Sequence, residues 1–199
     1  MYYNVIAIER EYASGGSEIG EKLAEMLKFP CFGQEILDLS AEKLNLPPER
    51  LRAAEESMTG SLLYSIVAMT NIAFGQNVDV LSIEQKLAVT EAEVINTLAQ
   101  NPCVIVGRGA ASLLKDSENV FKVFIHADYN KRVDRAVKIY GITPEQAKNV
   151  LNRYDRRRSG YFKTTTGRDW KDPDIYHMFL NSSRLEIDEI VDVLYDAVR

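Results

Sequence analysis

Residues 4–27 read NVIAIEREYASGGSEIGEKLAEML, and this stretch decides the fold. Val5-Ile6-Ala7-Ile8 is apolar and largely β-branched, the composition of a buried strand. Ser14-Gly15-Gly16-Ser17 breaks the strand as a loop. Ile19, Leu23, Met26 and Leu27 then recur at the spacing of one helical face. Strand, glycine loop and helix in that order form a layout by which α/β proteins hold phosphate. Glycines let backbone N–H groups turn inward, and the helix N-terminus adds unpaired donors and the positive end of its dipole. An ordinary tight βα turn would use the same residues. The full G-x-x-x-x-G-K-[ST] signature is absent, because no lysine follows Gly16.

Outward from this unit the chain alternates strand and helix. Phe29–Phe32 reads as a second strand and Gln34–Leu44 as a helix. Leu46-Pro47-Pro48 ends that helix and opens another to about Glu56. Residues 58–77 are apolar around much of a helix, the pattern of a segment shared between core and a second subunit, so a homodimer is expected. Ser82–Gln100 is amphipathic, Pro102–Val106 a buried strand, and Val120–Ile125 another. Asp128–Tyr140 is a helix whose Lys131, Arg132, Arg135 and Lys138 read mostly as a solvated face. Thr143-Pro144-Glu145-Gln146 has the form of a capping box, Ile175–Leu180 reads as a strand, and Ser183 with Glu186 as a second capping box for the last helix. Such alternation predicts a parallel sheet covered on both faces.

The 199 residues fit one domain, 1–199, with a large core and a small lid. A net charge of −5 excludes general binding to nucleic acid or a membrane surface, which needs a basic face. Cys31 and Cys103 form no C-x-x-C pair and read as buried, reduced thiols. No signal peptide precedes the first strand, and the apolar run 62–74 is too short and too polar to span a bilayer. A cytoplasmic protein is the expectation. His126 and His177 have no paired nucleophile nearby and receive no chemical role.

Two further segments stand out. The strand ending at Val106 runs into Gly107-Arg108-Gly109, and ligands in open α/β sheets collect outside the carboxyl ends of strands. A guanidinium there suits bidentate capture of phosphate, or else pairs with a nearby carboxylate. Residues 153–158 read RYDRRR, and helical spacing puts Arg153, Arg156 and Arg157 on one face. Like charges so clustered repel unless an anion sits among them; Asp155 and nearby acids are the competing partners. The following SGYFKTTTG, 159–167, reads as a glycine-punctuated connector able to move.

The chain resembles the cytidylate kinase-like family, relatives of bacterial cytidylate kinase among the P-loop nucleoside monophosphate kinases. IAIEREYASGGSEIGEKLAE, VIVGRGA at 104–110, RYDRRRSGYF at 153–162 and LNSSRLEIDEIV at 180–191 carry the resemblance, nearly end to end. It implies a three-layer P-loop NTPase-like fold: a five-stranded parallel sheet, helices on both faces, a mobile arginine-bearing lid at about 153–172 and a helical acceptor-side segment at about 34–80. It implies ATP with Mg²⁺, a small-molecule nucleotide partner, and phosphoryl transfer to a nucleoside monophosphate or another small phosphate acceptor. By position, Ser14, Gly15, Gly16 and Ser17 would cradle the donor phosphates and Arg108 would hold the acceptor phosphate. Arg153, Arg156 and Arg157 would close on the transferring group, with Asp155 orienting the lid. Asn181, Ser182 and Ser183 would lie near the donor base. Arg10 is the candidate to replace the missing lysine, and Ser17 or Glu18 to meet the metal. Gly33 stands where related kinases tend to carry an acid after the second strand. The alternative is a non-catalytic nucleotide-binding module with a degenerate loop.

Overall fold

The computed structural model describes residues 2–57 and 81–199. The 58–77 stretch, and with it the expected dimer contact, lies outside the described residues. Five strands, β1 (Val5–Arg10), β2 (Cys31–Phe32), β3 (Cys103–Val106), β4 (Val120–His126) and β5 (Met178–Asn181), form one sheet in the order β2-β3-β1-β4-β5. Every pairing is parallel; Val5 faces Cys103 on one side and Val120 on the other. Parallel strands need crossover connections, and helices supply them: α1 (Gly16–Leu27), α2 (Glu35–Leu44), α3 (Pro48–Ser57), α4 (Ile83–Leu98), α5 (Ala110–Leu113), α6 (Tyr129–Tyr140), α7 (Pro144–Thr166) and α8 (Ile187–Val198). Among the described residues no helix is long and apolar enough to cross a membrane.

Strand alternation sorts the core into two layers. Ile6 and Ile8 join Val104, Val106, Val123 and Ile125 beneath α1 and α8, against Ile19, Leu23, Ile190 and Leu194. Val5 and Ala7 face the other way, with Ile105, Phe124, Ile95, Phe162 and Trp170. Both faces of the central strands are therefore dry, which is why they are apolar runs rather than alternating ones.

Several local expectations need correction. Met26 is 46 % exposed rather than on the buried face of α1. The strand expected at 175–180 splits into a 3-10 turn, Pro173–Ile175, and the shorter β5, because Asp172 caps the turn by accepting from the Asp174 N–H. Thr143 opens α7 without a side-chain cap bond. The capping box of α8 is Glu186 with Glu189, not Ser183 with Glu186; Ser183 instead accepts from the Asp128 N–H at 2.7 Å. The supposed connector 159–166 is the last two turns of α7, with Tyr161, Phe162, Thr164 and Thr165 buried; the helix stops only at Gly167, in the left-handed region at φ 73°. Both cysteines are free, and burial pushes each thiol up to about 11.

Candidate functional site

The site is assembled where β1 and β3 end side by side. After Arg10 the chain turns through Ala13 (φ 59°) and Gly15 (φ 84°), a succession of left-handed positions that aims amides into one concavity. The first back-bonded amide of α1 is that of Ile19, to the Gly15 carbonyl at 2.9 Å, so the amides just before it lack intrahelical partners. They open on a cavity of about 470 Å³ that includes Gly15, Gly16, Ser17, Arg10 and Arg158. Ser14 faces inward and bonds the Glu11 carbonyl at 2.9 Å, so it shapes the loop through its backbone.

Arg10 lies at the junction. Its side chain also borders a second cavity, of about 280 Å³, with Glu9, Gln34, Arg108, Arg157 and Arg158. Two glycines make room for it. A Cβ at Gly16 would stand 2.5 Å from the Arg10 Cβ, and one at Gly107 would stand 1.9 Å from its Nη1. Any side chain at Gly16 or Gly107 would thus strike Arg10. Arg10 Nε has no hydrogen-bond partner among the described residues, and burial together with Arg158 and Arg108 pushes its pKa down to about 9. An anion beside it would relieve both conditions.

Arg108 (φ 62°) is held differently from the phosphate-binding role implied by the resemblance. Its Nη1 lies 3.0 Å from both Glu55 and Glu91, Nη2 donates to Gln34 at 3.4 Å, and the side chain is 9 % exposed. Glu91, on α4, is wholly buried and also accepts from the Tyr161 hydroxyl of α7; burial raises its pKa. The competing sequence reading, a carboxylate-paired arginine, describes Arg108 as it stands.

The arginine run divides. Arg157 and Arg158 face the cavity, with Tyr154, Tyr161 and Phe162 at helical spacing; Arg153 and Arg156 are exposed and do not line it, so of the three arginines expected on one face only Arg157 borders this cavity. Arg158 donates to the Arg10 carbonyl at 3.1 Å. Asp155 accepts from the Tyr12 N–H at 2.7 Å and pairs with Arg132, whose Nε donates to the Tyr12 carbonyl at 2.8 Å. These bonds dock α7 on the loop after β1. Arg132 is consequently buried and Arg135 pairs with Glu18, so of the four basic residues expected on a solvated face of α6 only Lys131 and Lys138 are exposed. Glu18 is taken up by Arg135 and, at 3.6 Å, Lys22. Burial would raise the Glu11 carboxyl, but Lys171 and Arg132 outweigh it and hold it below its ordinary range.

On the far side of the loop a cavity of about 500 Å³ is bordered by Ser14, Lys131, Arg135, Ser182 and Ser183. Ser182 braces the loop by donating to the Ser14 carbonyl at 2.6 Å. Asn181 is outside this cavity's lining and donates to Asp128 at 3.1 Å, a brace rather than a wall.

Sequence reasoning passed over Glu9, Glu91, Arg158, Tyr161 and Trp170. Period-two alternation places Glu9 on the Val5–Ala7 face, and helical spacing places Glu91 among Leu87, Val94 and Ile95. Acids on apolar faces were the available signal.

The sequence model of the cytidylate kinase-like family matches residues 5–184. No curated protein sequence matches the chain. Among solved structures, an uncharacterized protein from Eubacterium ventriosum is 23 % identical, with a TM-score of 0.70 over 98 % of this chain and 97 % of that one. Shikimate kinase from Bacteroides thetaiotaomicron aligns at 12 % identity and TM-score 0.53 over 98 % and 97 %. Shikimate kinase from Acinetobacter baumannii, solved with shikimate, aligns at 14 % and 0.50 over 98 % and 93 %. At such identities these structures share the fold. The match over residues 5–184, with the loop, the arginines and the all-parallel sheet in place, means that this chain belongs to the cytidylate kinase-like family.

Proposed function

We propose that this protein is a phosphotransferase that moves the γ-phosphoryl group of ATP to a nucleoside monophosphate or another small phosphate acceptor. The observation that carries the reading is that Arg10 and Arg158 each border both the loop cavity and the Arg108 cavity. A phosphoryl group passing from one to the other would cross between two guanidinium groups. Phosphoryl transfer asks chiefly for in-line positioning and charge neutralisation, which such a junction supplies.

In this reading the amides of Gly15–Ser17 hold the donor phosphates, Arg10 takes the place of the lysine, and Arg157 and Arg158 neutralise the transferring group. Asp155 keeps α7 docked, and Ser182 and Ser183 border the donor-base side. Among the described residues no three His, Cys, Asp or Glu side chains cluster as a metal cage. The donor set still fits Mg²⁺, which is commonly held by one or two protein oxygens together with phosphates and water. The Ser17 hydroxyl, with Glu21 one turn on, borders the loop cavity and would provide those oxygens. When bound, the ion would offset phosphate charge.

The test is ADP formation from Mg-ATP across a nucleotide panel. Arg10→Ala and Arg158→Ala should each lower kcat/KM by about 10²–10³, the usual cost of losing one preorganised charge-stabilising donor. Turnover unmoved by both substitutions rejects the assignment. The ion-paired state of Arg108 and the lysine-less loop favour a second reading, a nucleotide-binding module without catalysis. That reading predicts thermal stabilisation by ATP with no ADP released.

A further inference from the structure

Resting on the phosphotransferase reading, we propose that the acceptor presents a hydroxyl group to this site, not a phosphate oxygen, and that the Glu9 carboxylate accepts the proton of that hydroxyl. Glu9 is the penultimate residue of β1, on the face opposite Arg10, is 3 % exposed, and borders the cavity that Arg10, Arg108 and Arg158 also border. Its Oε2 accepts from the Trp170 Nε1–H at 3.4 Å, while Oε1 is buried with no hydrogen-bond partner among the described residues. Burial pushes the carboxyl up to about 7, although Arg10 beside it, the Trp170 N–H, Arg158 on α7 and the Gly109 backbone N–H pull the other way. Tyr176, after the 3-10 turn, donates its hydroxyl to the Trp170 carbonyl at 2.7 Å, and burial and Glu9 push its phenol pKa up.

A buried acceptor atom without a donor is costly unless a ligand supplies one. A phosphate dianion cannot: it has no proton to donate and sets further negative charge against Glu9 in a dry site. A hydroxyl supplies the missing donor in the ground state. It must also lose that proton as it attacks, which a phosphate oxygen need not do. The step balances as follows. The acceptor oxygen forms a bond to the γ-phosphorus, and the bond from that phosphorus to the bridging oxygen breaks. ADP departs with the electron pair, and the hydroxyl proton moves to the free oxygen of Glu9, then to solvent. A group with a pKa near the working pH is suited to this exchange.

The experiment measures ADP release from Mg-ATP with two acceptor sets, phosphate-free polyols and hydroxy acids against nucleoside monophosphates, for the parent and Glu9→Gln, alongside the thermal shift given by ATP. The expected result is turnover of a hydroxyl acceptor, a loss of about 10²–10⁴ in kcat for Glu9→Gln with the ATP shift retained, and a parental kcat that falls below pH ~7 where the variant's profile is flat. Glu9→Asp keeps a carboxylate and should keep the acid limb at a lower rate; a flat profile there overturns the proposal, and it serves if Glu9→Gln does not fold. Monophosphate turnover that Glu9→Gln leaves within threefold overturns the inference but not the kinase reading. ATP binding without ADP from either acceptor set also overturns it. Absence of both a thermal shift and ADP overturns the two together.

Discussion

The loop after β1 and the cavity around Arg108 meet at Arg10 but are built in opposite ways. The loop is local: consecutive residues 13–18 present backbone amides, and side chains matter mainly by staying out of the way. The cavity is assembled from side chains of distant segments. Trp170 reaches Glu9 across 161 positions, Tyr161 reaches Glu91 across 70, and Glu55 and Glu91 converge on Arg108. An amide cradle is damaged by adding atoms, whereas a network of buried charges is damaged by removing them. The two halves should therefore fail under different substitutions.

The largest effect is expected at Arg108. With Arg108→Ala the Glu91 carboxylate, wholly buried, keeps only the Tyr161 hydroxyl. Breaking a buried ion pair from one side costs about 3–5 kcal/mol, visible as a lower urea midpoint at unchanged m-value. A cost below ~1 kcal/mol would mean that the cavity is not held by its charges and would erase the contrast. Glu9 comes next. Its folded pKa of about 7 exceeds the ordinary 4.5, so the native state keeps a proton that the unfolded chain releases. The associated stability is complete below about pH 4.5 and is lost as pH rises through 7. Glu9→Gln removes this dependence. Relative to the parent, the variant should gain about 2 kcal/mol on going from pH 5 to pH 8, at ~1.4 kcal/mol per pH unit. Parallel stability curves for the two proteins would show that Glu9 is not held protonated by burial.

The same contrast explains what was legible in the sequence. The parallel sheet, the alternation of its strands and helices and the loop after β1 follow from local periodicity and glycine placement. Arg108 was visible as a strand-end arginine, but its partners were not, since Glu55 and Glu91 meet it only through the packing of α3 and α4. The arginine run misled for a related reason. Helical spacing offers several faces, and only the docking of α7 through Asp155 on Tyr12 and Arg132 selects 154, 157 and 158 over 153 and 156. The connector at 159–166 failed because Tyr161 and Phe162 find partners in the core, and burial outweighs the loop preference of the serine, glycine and threonines around them.

A smaller effect tests the loop half. Gly16→Ala adds a Cβ that would stand 2.5 Å from the Arg10 Cβ and 3.3 Å from the Ile125 Cβ, and neither is the free end of a side chain. The expected cost is about 1–3 kcal/mol of stability, with a weakened thermal response to ATP because Arg10 is displaced. Gly16→Lys sets a lysine between Gly15 and Ser17 but should impair the protein by the same collision. A gain of activity in Gly16→Lys would show that Arg10 is not the lysine's substitute.

The smallest effect concerns Arg153 and Arg156, which separates the structure's account of α7 from the spacing rule. Both are exposed, and the Arg153 guanidinium lies 5.4 Å from the Tyr154 ring centroid, a contact worth about 0.5–1 kcal/mol at an exposed site. Arg153→Ala should cost about that much stability and Arg156→Ala less than ~0.5 kcal/mol. In combination they should change kcat/KM by less than about threefold, against the 10²–10³ expected of Arg158→Ala. If the pair instead costs as much as Arg158, the helix must turn those two arginines toward the transferring group during the reaction. The docked arrangement held by Asp155 would then be one of two positions of α7, and a measured dependence of the double-variant effect on Asp155→Asn would reveal the other.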